Sequence, residues 1–158
     1  MKAHKLPRVG HENSILRTFI LFIQTADAVK KYTDARLYKV GLSTIKLIVL
    51  RVLAFKGGTM TPSAIARWTL RERHNITTLI DRMKRDGLVK TRRNRTDRRS
   101  INITLTKKGR ELLEEHTPLT RDIIDQIMSS ISEDDAALLE KLLAVLRQNT
   151  ETGLNKRN

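Results

Sequence analysis

Apolar residues in the first third of the chain recur every three or four positions, which is the spacing of helices that bury one face. This pattern predicts a first helix over residues 14–35 and a second, more apolar helix over residues 43–55. Ser43 can cap the second helix through its hydroxyl. Gly57-Gly58 is expected to end it, because glycine readily adopts the left-handed conformation of a helix exit.

A short third helix is predicted to begin at Thr61-Pro62, where threonine can cap and proline fits the first helical position. It should run to about Trp68, with Ala64, Ile65 and Trp68 facing inward. A fourth helix follows it along the chain.

That fourth helix is predicted over residues 72–85, with a stop at Asp86-Gly87. Residues 88–92 predict one strand, and the alternating apolar and polar residues 101–105 predict a second. The nearly all-polar residues 93–100 between them predict a β-hairpin with a long basic loop.

Beyond the hairpin, Thr106 can cap a long helix, in which Pro118 should cause a kink. Residues 132–135 fit a capping box for a last helix that ends at about Gln148. The predicted fold is mainly α with a small β-hairpin: a winged helix-turn-helix core at 43–105, helical dimerisation regions at 12–35 and 106–148, and flexible ends at 1–11 and 149–158.

The charge of the chain is concentrated in its middle. The formal net charge is +14, and residues 67–110 hold 15 Lys and Arg against 4 Asp and Glu, whereas residues 111–158 hold 5 against 10. Such a localised basic region indicates a polyanionic partner, although a generically basic or membrane-surface protein has a similar composition. Aromatic residues make up only 4% of the chain, which favours binding to duplexes over stacking on single strands.

Other classes of protein find less support in the sequence. The chain has no cysteine, no apolar run long enough for a membrane span, and no secretory signal pattern in residues 1–10, so we expect a cytoplasmic protein. The histidines show no metal-ligand spacing, and no phosphate-binding loop or nucleophile motif is present. We therefore expect no metal, no cofactor and no enzymatic activity.

The fourth helix and the hairpin carry the candidate DNA contacts. On the helix, apolar residues cluster on one side and polar residues point the other way, as on a helix that enters the major groove, or as on an ordinary solvated face. The loop has arginines that could bind phosphates or a narrow minor groove, or could simply be solvated. The candidate residues are Arg71, Arg73, His74, Asn75, Thr77, Thr78, Arg82, Arg85, Arg93, Arg95, Arg98 and Arg99.

Four segments together resemble the multiple-antibiotic-resistance regulator (MarR) family: residues 79–83 (LIDRM), 87–89 (GLV), 97–100 (DRRS) and 105–109 (LTKKG). Their order and spacing match that family over about residues 12–148. The resemblance implies a homodimer that binds palindromic operators, often as a repressor, and that often releases DNA when a small aromatic or anionic effector binds.

The resemblance also implies roles for particular residues. Asp81 and Arg99 match a pair that links the recognition helix to the wing. Peroxide sensing through a cysteine is excluded because the chain has none. The turn before the recognition helix lacks the usual glycine and Ser/Thr cap, so the start of this helix is not determined.

Two further hypotheses concern the terminal helices. Apolar residues at helical spacing predict dimerisation through Ile15, Phe19, Leu139, Leu142, Leu143 and Leu146. An effector cleft between the first, second and fifth helices could use Phe19, Phe22 and Ile23 as apolar walls, unless these three belong to the core. Arg17 or Lys46 could then bind a carboxylate.

The competing functions are an enzyme and a non-specific nucleic-acid architectural protein or RNA binder. A gel shift with operator DNA, a random duplex and an RNA hairpin would discriminate among them.

Overall fold

A computed structural model describes residues 14–93 and 101–155. These residues form two compact units, the first extending to Thr120 and the second beginning at Arg121. Within the described residues, the helices and strands in chain order are α1 (Ser14–Tyr38), α2 (Thr44–Phe55), β1 (Thr59–Met60), α3 (Pro62–Thr69), α4 (Arg73–Arg85), β2 (Val89–Arg93), β3 (Ile101–Leu105), α5 (Lys107–Glu115), α6 (Thr117–Met128) and α7 (Glu133–Asn155).

Three of the predicted helix caps are confirmed. The Ser43 hydroxyl accepts the backbone N–H of Lys46 at 3.4 Å. The hydroxyls of Thr61 and Thr106 accept the N–H groups three residues later at 3.2 and 3.0 Å. Each bond satisfies one of the N–H groups that the first turn of a helix leaves without an intrahelical partner.

The small sheet has three antiparallel strands in the order β1-β3-β2. The hairpin of β2 and β3 is confirmed, with Val89 opposite Leu105 and Arg93 opposite Ile101. Strand β1 was not predicted. It has only two residues, and it exists because Thr59 pairs with Thr104 across the sheet.

Apolar residues of α2, α3, α4 and the sheet, together with Leu37 near the end of α1, form the core of the first unit. Its largest fully buried side chains are those of Leu37, Val49, Leu50, Leu53, Ile65, Ile76, Met83, Val89 and Ile103. The fold is thus a winged helix-turn-helix, mainly α with a small sheet, as the sequence predicts. No helix in the described part of the chain has both the length and the hydropathy to cross a bilayer.

Trp68 does not face inward as predicted. Ile65 and Ala66 are buried and mark the inward side of α3, whereas 46% of Trp68 is exposed. Its ring lies 5.7 Å from the Lys56 ammonium group, and the same ammonium lies 5.3 Å from the exposed ring of Phe55. Trp68 therefore contributes to a surface cluster of a lysine between two aromatic rings.

The C-terminal helices also differ from the predictions. Instead of one long kinked helix, α5 ends at Glu115 and α6 begins at Thr117. Pro118 then lies in the first turn of α6, where its missing N–H removes no bond.

Helix α7 continues to Asn155, seven residues past the predicted end at Gln148. Its capping box is confirmed in part: the Ser132 hydroxyl accepts the Asp135 N–H at 3.1 Å but donates to the Asp135 carboxylate at 2.6 Å. The predicted flexible segment 1–11 lies outside the described residues.

Helix α1 is joined to the start of α2 by a carboxylate. Asp34 accepts the backbone N–H of Thr44 at 2.7 Å and pairs with Lys30. Burial tends to raise the pKa of Asp34, but the hydrogen bonds from Lys30 and Thr44 outweigh it, and the pKa lies below its ordinary value of 3.8. The carboxylate is therefore a charged N-terminal partner for α2.

Candidate nucleic-acid interface

The turn between α3 and α4 precedes the helix that the sequence predicts to contact DNA. Leu70 ends α3 in the left-handed conformation, with φ 51° and ψ 43°, although it is not glycine. Helix α4 begins at Arg73, and its N-cap, Glu72, makes no side-chain capping bond. The turn therefore keeps the helix-turn-helix geometry without the usual glycine and cap.

Helix α4 has one buried and one exposed face. Ile76, Ile80 and Met83 are buried, with exposures of 1%, 3% and 0%, and Leu79 is half-buried, as predicted. The candidate residues on and just before the helix are all exposed: Arg71, Arg73, His74, Asn75, Thr77, Thr78, Arg82 and Arg85. Packing on one side thus presents a polar, mostly basic face on the other.

The two threonines on this face have their hydroxyls engaged. Thr77 donates to the carbonyl of Arg73 at 3.0 Å, and Thr78 donates to the carbonyl of His74 at 3.2 Å. A hydroxyl has one proton to donate. In this rotamer each threonine therefore offers outward a methyl group and an acceptor oxygen, which suit a thymine methyl or a base donor better than a phosphate.

The hairpin extends the basic surface. Arg93, at the end of β2, is exposed as expected, and Arg95, Arg98 and Arg99 lie outside the described residues. The Asp81–Arg99 pair therefore stays a prediction, with Asp81 exposed on α4.

Sequence reasoning missed further basic residues beside this surface. Lys84 on α4 and Lys90 and Arg92 on β2 are also exposed. The charge density of residues 67–110 was the signal that could have included them.

Helix α1 leaves the predicted apolar residues exposed in the single chain. Ile15 is 78% exposed and Phe19 58%. Phe22 and Ile23 are exposed as well, so none of the three predicted cleft residues is buried in the core of the single chain. Arg17 is exposed on the same helix.

Helix α7 is exposed along its predicted dimerisation face. The exposed fractions are 40% for Leu139, 54% for Leu142, 39% for Leu143 and 44% for Leu146. Exposed apolar surface of this extent on a helix is typical of an interaction face.

Lys46 already has a carboxylate partner within the chain. Its ammonium lies 2.8 Å from Asp86 Oδ2, where α4 ends. Among residues 14–93 and 101–155, no three His, Asp or Glu side chains are grouped so as to hold a metal ion.

The model of the MarR family matches residues 40–100, which include α2, α3 and α4. The transcriptional activatory protein BadR of Rhodopseudomonas palustris is 32% identical over 134 residues, 82% of this chain and 77% of the relative. The chain belongs to the MarR family. A second relative is the transcriptional repressor YetL of Bacillus subtilis, 28% identical over 158 residues, 92% of this chain and 95% of the relative.

Solved structures of transcriptional regulators share the fold. The organohalide-sensing regulator RdhR-CbdbA1625, in its 2,4-dichlorophenol-bound form, has a TM-score of 0.80 at 23% identity, covering 95% of this chain and 89% of the other. The MarR-family regulator Sco3205 of Streptomyces coelicolor, in complex with DNA, has a TM-score of 0.81 at 18% identity, covering 85% of this chain and 86% of the other. The MarR fold therefore extends over both the recognition helix and the terminal helices.

Proposed function

We propose that this protein is a sequence-specific, duplex-DNA-binding transcriptional regulator that acts as a homodimer on a palindromic operator. The observation that carries the proposal is α4, which buries Ile76, Ile80 and Met83 and exposes a polar, basic face. A helix of this kind fits the major groove, and its outward side chains can reach base edges.

The side chains on α4 suit particular bases. The guanidinium of Arg82 can bond the O6 and N7 of guanine together, and the amide of Asn75 can bond adenine in the same bidentate way. Thr78 offers its methyl to thymine. The surrounding arginines and lysines bind phosphates and so set affinity and register without reading sequence.

The wing adds a second contact. Arg93 is exposed at the end of β2, and the sequence continues with Arg95, Arg98 and Arg99. Arginines at the tip of a wing can enter a narrow minor groove, where the negative potential is enhanced. By resemblance to the MarR family, Arg99 pairs with Asp81 on α4, which would neutralise an acid that otherwise faces phosphates.

The proposed dimer is supported by the exposed apolar residues of α1 and α7. Burying one leucine side chain contributes roughly 1.5–3 kcal/mol, so covering several of them with a second copy is strongly favourable. Two copies related by a twofold axis place their recognition helices about one DNA turn apart, which is why the operator is expected to be palindromic.

We also propose control by a small aromatic or anionic effector, with repression as the default action. The support is indirect: YetL is a repressor, and RdhR-CbdbA1625 was solved with 2,4-dichlorophenol. Phe19, Phe22 and Ile23 would supply apolar walls, and Arg17, an exposed cation on the same helix, would bind the anion. BadR is an activatory protein, so the relatives of this chain include both activators and repressors.

The experiment that tests the function is selection of bound duplexes from a random-sequence library, followed by affinity measurements. The protein should enrich an inverted repeat, and it should bind this duplex at least about 1,000-fold more tightly than a scrambled one. Equal affinity for both duplexes would identify an architectural protein instead, and preference for an RNA hairpin would identify an RNA binder.

A further inference from the structure

The C-terminal end of the recognition helix is held by a lysine from another part of the chain. The Lys46 ammonium, in the first turn of α2, lies 2.8 Å from Asp86 Oδ2 and 3.4 Å from the carbonyl of Gly41. Lys46 and Asp86 are 40 residues apart in sequence. The ion pair therefore connects two helices that sequence proximity does not connect.

Asp86 is an unusual residue for this position. It is the C-cap of α4, where the helix dipole presents its negative end and a carboxylate is unfavourable. Lys46 supplies the compensating positive charge. An acid that is unfavourable for its own helix but paired across the fold suggests a role in orienting the helix.

A second lysine holds the backbone at the same point. The Lys108 ammonium, in α5, donates to the carbonyl oxygen of Asp86 at 2.8 Å, and its side chain lies against Gly87. We call Lys46, Asp86 and Lys108 the helix-end clamp. It ties the end of α4 to α2 through a side chain and to α5 through the backbone.

We infer that Lys46 and Asp86 are positioning residues that set the orientation of α4 for operator recognition, an inference that rests on the proposed function. The side chain of Lys46 is 20% exposed and that of Asp86 is 45% exposed. Ion pairs that are partly exposed to solvent contribute little to the free energy of unfolding. The alignment of base-reading side chains, by contrast, depends on the direction of the helix. Loss of the pair should therefore affect operator discrimination more than folding.

The substitution Asp86→Asn distinguishes a role in orienting α4 from a simple effect of the Asp86 charge on the DNA phosphates. Removing a negative charge from a DNA-binding unit should, by charge alone, tighten binding to every duplex. Positioning predicts the opposite on the operator: affinity falls roughly three- to tenfold, as expected for loss of a contacting pair, while affinity for a scrambled duplex is unchanged or slightly higher. Glu111→Gln is the matched control, since it makes the same charge change on an exposed residue of α5.

Two further variants test the pair itself. Lys46→Arg keeps the ion pair and should keep the wild-type ratio of operator to scrambled affinity. The charge swap Lys46→Asp with Asp86→Lys should recover most of the ratio that Asp86→Asn loses. Thermal unfolding is measured on every variant, and the midpoint of Asp86→Asn should stay within a few degrees of wild type.

The outcomes separate this inference from the function on which it rests. A wild-type protein that binds operator and scrambled duplexes equally refutes the proposed function, and the positioning role falls with it. A wild-type preference that persists unchanged in Asp86→Asn refutes the positioning role alone. A large fall in the unfolding midpoint of Asp86→Asn also overturns it, because the pair would then act on folding.

Discussion

The α-carbon of Gly109 faces the carbonyl oxygen of Leu88 so closely that a β-carbon on Gly109 would lie 2.3 Å from that oxygen. The same β-carbon would lie 2.8 Å from the Leu105 side chain. Three residues earlier in the sequence, the Thr106 hydroxyl donates to the carbonyl oxygens of Gly87 and Leu88 at 2.7 and 3.0 Å. The start of α5 is thus packed directly against the backbone that follows the recognition helix.

Gly109→Ala should therefore destabilise the protein. The nearest atom is backbone, which cannot rotate away, so we expect a loss of about 1–3 kcal/mol from overpacking and a lower thermal midpoint. Gly153→Ala is the matched control, because a β-carbon on this helical glycine of α7 meets nothing within 4 Å. That change should instead stabilise slightly, by about 0.5–1 kcal/mol. Similar midpoints for the two variants would contradict the close packing.

Asp34 should make stability depend on pH in the acid range. The pKa of Asp34 is lowered in the folded protein. Its contribution to the free energy of unfolding is therefore fully present at pH values above the ordinary pKa of 3.8, and it is lost as pH falls through the lower pKa of the folded state. Asp34→Asn should cost about 1 kcal/mol near neutral pH and nothing below the folded pKa. Chemical denaturation at several pH values measures this difference.

Asp27→Asn is the control for that experiment, since Asp27 is exposed on the same helix. Its effect on the free energy of unfolding should be small at every pH. A constant deficit for Asp34→Asn from pH 7 down to pH 2 would show that the carboxylate charge does not stabilise the α1–α2 junction.

The start of the recognition helix offers a stabilising change. Glu72 has extended N-cap geometry, with φ −60° and ψ 141°, but makes no side-chain capping bond. Aspartate has the same charge and the shorter side chain that reaches the N–H groups of the first turn. Glu72→Asp should raise the free energy of unfolding by roughly 0.5–1 kcal/mol, measured by denaturant titration. An unchanged or lower value would mean that a shorter carboxylate at position 72 does not cap α4.

The proposed dimer interface can be tested on α7. Leu142→Asp places a charge on the exposed apolar face and should give monomers or unfolded chains, without operator binding at ordinary salt. Gln148→Asp adds the same charge about 180° around the helix from the centre of that apolar face and should leave the proposed dimer intact. Light scattering gives the oligomeric state. A folded Leu142→Asp monomer with native affinity for the full palindrome would rule out the dimer as a precondition.

Local chemistry made much of this fold predictable. Ser43, Thr61 and Thr106 cap the helices that follow them, because capping needs only a hydroxyl beside the first turn. The buried and exposed faces of α4 followed from helical periodicity.

What the sequence did not predict depends on distant parts of the chain. Strand β1 requires its partner β3, about 45 residues later. Trp68 had the right spacing to face inward, but the inward side of α3 is filled by Ile65 and Ala66. Lys46 was a candidate for binding an effector, and only the folded chain shows Asp86 beside it.

Base reading by α4 is tested most directly by the substitution Arg82→Ala. Affinities are measured for the selected operator and for a scrambled duplex, with Arg121→Ala as a control that removes the same charge from an exposed residue of α6. Arg82→Ala should cost about 1–3 kcal/mol on the operator, relax the preference at one base position, and cost much less on the scrambled duplex. Equal losses on both duplexes would show that Arg82 contributes only charge, and would contradict base reading by this helix.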